Sequence, residues 1–186
     1  RDTDRSRGLG DVYKRQVQHI VNFFKSKNRK VSYDTLSNYL GYIEEAFLAY
    51  KTERYNIKGK DVVAGNCKYY LNDLSFKNFL YPGFAYGVGY LLENAVYLEL
   101  RRLGYIVYTG SFRDKEVDFV AMKDDRVIYL QATYMLETAQ TMEREYAPLL
   151  TIGDNYEKYV VSMDEVQFPS NEGVRHIQAW NLKEIL

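Results

Sequence analysis

The chain has 186 residues, 46% hydrophobic and 16% aromatic, with 25 Lys+Arg balanced by 25 Asp+Glu. That apolar content and length suit one large or two small packed units and exclude a disordered or collagen-like chain. One cysteine, Cys67, excludes an intramolecular disulfide framework, and His19 and His176 beside it are too few for a zinc centre. No apolar run approaches the ~20 residues of a membrane span, and the lone thiol fits a reducing, cytoplasmic setting. The neutral total hides an asymmetry: residues 17–81 hold 10 basic and 6 acidic side chains, residues 82–186 hold 10 and 16. A mildly basic part followed by an acidic part suggests two modules.

Residues 1–16 show no sustained apolar period and lack the apolar centre of a signal peptide. They resemble translated adapter sequence and are expected to lie outside the native fold; the alternative is a basic arm that touches phosphate. From Val17 the pattern turns helical, with Val17, Ile20, Val21 and Phe24 on one face. After a basic break over Lys25–Lys30, Ser32 is a good N-cap, Asp34 suits the first turn, and Val31 and Leu36 can act as a hydrophobic staple. Leu36, Tyr39, Leu40, Ile43 and Phe47 then form an apolar face. Strands are expected over Tyr50–Ile57 and Lys68–Asn72, with a turn-rich connection between them.

Two helices followed by a hairpin match the back end of a winged helix-turn-helix, giving a truncated module over 17–81. In such a module one helix enters a major groove and the hairpin touches the DNA backbone. Lys27, Arg29, Lys30, Lys58 and Lys60 are the candidate phosphate contacts. Glu44 and Glu45 would oppose them, and an ordinary solvated surface or a protein-binding spacer stays open as the alternative.

A boundary at Tyr81-Pro82-Gly83 opens the second module, 82–186, with an expected α-β-β-β-α-β order. A helix over Gly87–Leu103 ends at Gly104, with Arg101 and Arg102 suiting its C-terminal dipole. Strands follow at Tyr105–Tyr108, Glu116–Met122 and Val127–Thr133, the last two as a hairpin. A helix near Leu136–Tyr146, a strand at Tyr159–Ser162, and an edge strand with a short helix over Val174–Trp180 and beyond complete it. Glu93, Asp118, Gln131 and Thr133 could converge at one end of the sheet, since Gln131 and Thr133 share a strand face.

This order and spacing resemble the PD-(D/E)XK nuclease fold, so the expected class is α+β: a truncated winged helix, then a restriction-endonuclease-like domain. The resemblance implies a helix Glu, a strand Asp and a Glu on the next strand as Mg²⁺ ligands, with a Lys two positions later. Here those last two positions are Gln131 and Thr133. An amide is a weaker Mg²⁺ ligand than a carboxylate, and losing a cation aimed at the transition state typically costs about 100- to 1,000-fold. The pocket is therefore expected to be vestigial, with no catalytic residue and no metal. If it is active, Glu93, Asp118 and Glu116 are the ligands, Glu116 sharing a face with Asp118.

Other motifs are weaker. Gly59-Lys60 has Arg54 where a P-loop needs Gly, and Gly87-Val-Gly89 has Leu92 where a dinucleotide fingerprint needs Gly. His176 has no nearby nucleophile motif and suits an edge strand. The 19 tyrosines could stack on bases, though packing is their ordinary role.

Several strings resemble the C-terminal part of prokaryotic AAA-type ATP-binding proteins that end in the domain of unknown function numbered 4143. They are Arg29-Lys-Val-Ser-Tyr-Asp-Thr-Leu-Ser-Asn-Tyr-Leu40, Tyr55-Asn-Ile-Lys-Gly-Lys60, Leu92-Glu-Asn-Ala-Val-Tyr-Leu-Glu-Leu-Arg-Arg-Leu-Gly-Tyr105, Lys115-Glu-Val-Asp-Phe-Val120 and Tyr129-Leu-Gln-Ala-Thr133. The resemblance implies an upstream ATPase domain that holds ATP and Mg²⁺, this region having no cofactor of its own. The expected function is a catalytically inactive, nuclease-like regulatory region that binds nucleic acid or a protein partner, its own ATPase domain included. The alternatives are a Mg²⁺-dependent DNA nuclease and a pure protein–protein module.

Overall fold

The computed structural model describes residues 17–80 and 87–186, so the expectations for residues 1–16 and for the Tyr81–Gly83 boundary lie outside the described residues. The chain is a mixed α+β fold built on one seven-stranded sheet of order β2-β1-β3-β4-β5-β6-β7. The strands are β1 Ala49–Asn56, β2 Asp61–Leu71, β3 Ile106–Phe112, β4 Lys115–Lys123, β5 Arg126–Ala132, β6 Glu157–Ser162 and β7 Val174–Gln178. The helices are α1 over 17–26, α2 Tyr33–Glu45, α3 Ser75–Leu80, α4 Val88–Arg102 and α5 Ala139–Leu150, with a terminal 3₁₀ turn at Ala179–Glu184.

Alternating side chains give the sheet two apolar faces. One packs Leu92, Val96, Tyr97 and Leu100 of α4 against Val107, Phe119, Leu130 and Val161. The other packs Tyr146 and Leu149 of α5 against Val120, Tyr129 and Val160. Helices on both faces explain why β4, β5 and β6 read as nearly continuous apolar runs rather than clean alternations.

The hairpin foreseen as a wing is longer than expected and does not stand apart. β2 begins at Asp61, so most of the supposed turn region is strand. β1 runs parallel to β3, pairing Arg54 with Thr109 and Asn56 with Ser111. Tyr70 of β2 is buried and stacks on Tyr97 of α4 with ring centroids 4.2 Å apart. Asn94 of α4 clasps the edge-strand backbone at Leu71, donating to its carbonyl and accepting from its N–H, both at 2.8 Å. An amide in this position satisfies groups that an open sheet edge would leave bare.

Two irregularities re-aim side chains. Between Tyr108↔Val120 and Gly110↔Val117, β4 carries one more residue than β3, a bulge at Asp118–Phe119. Between Thr52↔Lys68 and Arg54↔Val63, β2 carries three more residues than β1, immediately before Lys68.

Ser32 caps α2 as expected, accepting from the Thr35 N–H, and Asp34 lies in the first turn. The expected burial of its apolar face is not observed among the described residues. Tyr39 and Tyr42 are exposed, and Phe47 lies beyond the helix end with positive φ, also exposed. Strand and helix boundaries elsewhere shift by a few residues; α3 was not foreseen.

Candidate functional site

Glu93, Asp118, Gln131 and Thr133 do converge. They line a cavity of about 400 Å³ where the first turns of α4 meet β4 and β5, joined by Arg144 and Glu145 of α5. A more apolar cavity of about 570 Å³ adjoins it, sharing Tyr90 and Glu93 and extending past Lys68, Tyr70 and Leu74.

From the wall of the second cavity, a lysine that sequence spacing did not single out reaches the carboxylates. The Lys68 ammonium lies 2.9 Å from Glu93 Oε1, 2.9 Å from Glu116 Oε1 and 3.6 Å from Asp118 Oδ1. Tyr70, two residues along the same strand, donates its hydroxyl to Glu93 Oε1 at 2.7 Å. Arg54 of β1 pairs with Glu116. Glu116, open between a ligand and a solvated rim charge from sequence, thus faces two cations.

Gln131 and Asp118 also splice the sheet. The regular β4–β5 ladder ends at Phe119↔Leu130. Beyond it, the Asp118 N–H donates to Gln131 Oε1 at 3.2 Å, and the Ala132 N–H donates to Asp118 Oδ2 at 2.9 Å. These side chains engage backbone groups beyond the end of the β4–β5 ladder. The amide oxygen that stands where the nuclease pattern has a carboxylate is therefore engaged by backbone. Thr133 is buried, its N–H bonded to the Val161 carbonyl.

The electrostatics follow from burial. Asp118 is almost fully buried, and desolvation together with the Glu93 charge pushes its pKa up to about 7, against the opposing pull of Lys68 and the Ala132 N–H. Burial works against the Lys68 ammonium, but the charges of Asp118 and Glu93 and hydrogen bonds to Glu93 and Glu116 outweigh it and hold its pKa above the ordinary lysine range. Burial and the neighbouring Glu93 likewise raise the Tyr70 phenol, keeping it a neutral donor.

Mg²⁺ requires oxygens at roughly 2.0–2.1 Å in near-octahedral array. Among the described residues no group of three or more His, Cys, Asp or Glu is arranged to hold a metal ion. The Lys68 ammonium stands beside the three carboxylates, and Gln131, where the nuclease pattern has a carboxylate, offers an amide oxygen already bonded by the Asp118 N–H.

The basic candidates divide into two groups. Lys27, Arg29 and Lys30 are exposed in the α1–α2 connection, and Lys58 and Lys60 are exposed at the β1–β2 turn. Asn56 shapes that turn by accepting from the Lys58 and Gly59 N–H groups, both at 3.1 Å. Lys60 Nζ lies 5.8 Å from the Tyr156 ring centroid.

His176 lies in edge strand β7, where its surroundings resemble a hydrolytic triad by composition alone. Its Nδ1 accepts from the Phe168 N–H at 3.1 Å, so the neutral ring carries its proton on Nε2 and donates to Ser162 Oγ at 2.8 Å. Ser162 in turn donates to Asp164 Oδ2 at 2.6 Å. The serine proton points at the carboxylate rather than the imidazole, the reverse of what activates a nucleophile. This network anchors the chain after β6.

Lys68, Arg144 and Glu145 went unnoticed in sequence. A Lys-x-Tyr on one strand face was the available signal for Lys68, but its partners lie 25, 48 and 50 positions away. Glu145 is buried and paired with Arg144 at 2.6 Å.

The chain is 36% identical over 143 residues to an uncharacterized protein of Haemophilus influenzae, a match covering 77% of this chain and 35% of that protein. It is 32% identical over 133 residues to an uncharacterized protein of Methanocaldococcus jannaschii, covering 69% of this chain and 29% of that protein. The chain thus spans about a third of the length of the curated relatives it matches. No family model and no solved structure matches it. Among the described residues no helix is long and apolar enough to cross a membrane.

Proposed function

We propose that this chain is a non-cleaving, nuclease-like regulatory region of a longer cytoplasmic polypeptide, with α1, α2 and the hairpin as a winged-helix-derived element that meets nucleic acid. The observation that carries the reading is Gln131, an amide where the nuclease pattern has a carboxylate, with its oxygen committed to the Asp118 backbone. The two relatives, each about three times the matched length, support a longer parent. An AAA-type ATPase as the remainder, holding ATP and Mg²⁺, is the part of the proposal that rests on resemblance to the 4143 family. A P-loop in the full reading frame supports it, and a full frame without one refutes it.

Incubation with supercoiled and linear DNA in Mg²⁺ or Mn²⁺ tests the absence of cleavage. The DNA is expected to stay intact; cutting that disappears in Asp118→Ala would establish the alternative nuclease. A second reading, protein–protein docking in place of DNA contact, is favoured by the exposed Tyr39 and Tyr42 of α2, whose ring centroids lie 6.5 Å apart, since adjoining exposed aromatics mark interaction surfaces.

A further inference from the structure

We infer that the Lys68 ammonium is the resident cation of the Glu93, Glu116 and Asp118 carboxylate cluster, the charge that an external divalent ion would have to replace. The inference rests on the non-cleaving reading and deepens it by naming what neutralises the site.

Three observations converge. First, Lys68 Nζ meets Glu93 and Glu116 at 2.9 Å each and Asp118 at 3.6 Å. These are ammonium–carboxylate spacings, well beyond the roughly 2.0–2.1 Å of Mg²⁺–oxygen bonds. Second, Lys68 is delivered there by backbone design. The three-residue irregularity in β2 immediately precedes it, and Tyr70, on the same strand face, donates to the Glu93 oxygen that Lys68 also holds. Third, three further acceptors are already used: Asp118 Oδ2 by the Ala132 N–H, Gln131 Oε1 by the Asp118 N–H, and Glu116 Oε2 by Arg54. A divalent ion drawing on these oxygens would have to compete with the ammonium and with those bonds.

The inference therefore predicts that metal affinity is latent and is released by removing one positive charge. Mn²⁺ binding to the whole chain near neutral pH is followed by calorimetry, with thermal melting as a check on folding. The wild type is expected to show no binding tighter than millimolar. Lys68→Gln and Lys68→Met are expected to bind Mn²⁺ roughly ten-fold or more tightly than the wild type, because the uncompensated carboxylates then recruit an external cation. Lys68→Arg keeps a cation in place and is expected to gain nothing, and Asp118→Asn added to Lys68→Gln is expected to cancel the gain.

Micromolar Mn²⁺ binding by the wild type overturns the inference, even if both neutral variants fail to fold. So does a folded Lys68→Gln whose affinity equals that of the wild type. DNA cleavage by the wild type would instead remove the non-cleaving reading, a separate result from a separate assay.

Discussion

Asp118 does two jobs at one position: its carboxylate closes the β4–β5 seam through the Ala132 N–H and shares the Lys68 charge. Its raised pKa has a definite consequence for stability. A carboxyl whose folded pKa lies above its unfolded value favours folding most below the unfolded value, and that contribution is lost as pH rises through the folded one. The window therefore runs from about pH 4 to about pH 7. Asp118→Asn, which cannot ionise, should gain stability relative to the wild type across that window, by no more than about 4 kcal/mol. Denaturant melts at several pH values read this directly, and parallel pH profiles for the two proteins would refute it. His176 shows the opposite sign. Burial lowers its pKa, so its contribution is present above about pH 6.5 and fades as pH falls and the imidazole must charge. His176→Ala strands the Phe168 N–H and removes one of the donors to Ser162 Oγ, and should cost about 1–3 kcal/mol near neutral pH, less in acid. Urea unfolding of the variant at two pH values checks both the size and the trend.

At the scale of elements, the β1–β2 hairpin carries the most information. It supplies Lys68 to the pocket and Tyr70 to the core, and its outer strand is clasped by Asn94. A fragment starting at residue 87 should therefore fail to reach the native fold, because it bares the β3 edge and leaves Glu93, Glu116 and Asp118 without their ammonium. A fragment that gives a dispersed, cooperative amide spectrum would contradict this. The β3–β4 bulge is similarly constrained. A Cβ on Gly110 would come 2.9 Å from Val120 Cγ2 and 3.0 Å from Val117 Cβ, so Gly110→Ala should cost about 1–3 kcal/mol in thermal or chemical melts. Much of this level was readable in sequence. The apolar pattern that includes Leu92 and Val96 marks α4, the Lys123-Asp124-Asp125 turn marks the β4–β5 hairpin, and the i, i+2 spacing of Gln131 and Thr133 places both at the pocket. Which strands become neighbours was not readable. The parallel β1–β3 pair joins residues more than 50 positions apart, and nothing local records that register. Lys68 was missed for this reason, and the resident cation with it.

For the whole molecule, composition hides function in balance. Basic residues collect at the α1–α2 connection and the β1–β2 turn, whereas the acidic excess lies in the later part of the chain and partly turns inward onto Lys68. If the exposed basic groups meet phosphate, reversing Lys27, Arg29 and Lys30 to Glu should weaken DNA binding and flatten its salt dependence, since each lost phosphate contact removes about 0.9 from the log–log slope. Fluorescence anisotropy at several salt concentrations measures this; unchanged affinity would move the function to the exposed aromatics of α1 to α3. The relatives' greater length gives either surface something larger to engage.

The central claim is that the Lys68 ammonium is held as the cation of the Glu93, Glu116 and Asp118 cluster. Nitrogen-15 NMR of the lysine side chains tests it most directly. The Lys68 Nζ–H₃ signal should be visible near neutral pH through slow exchange with water, unmoved by millimolar Mg²⁺ and lost in Lys68→Gln. A Lys68 signal that exchanges as fast as the surface lysines, or shifts as Mg²⁺ is added, would contradict it.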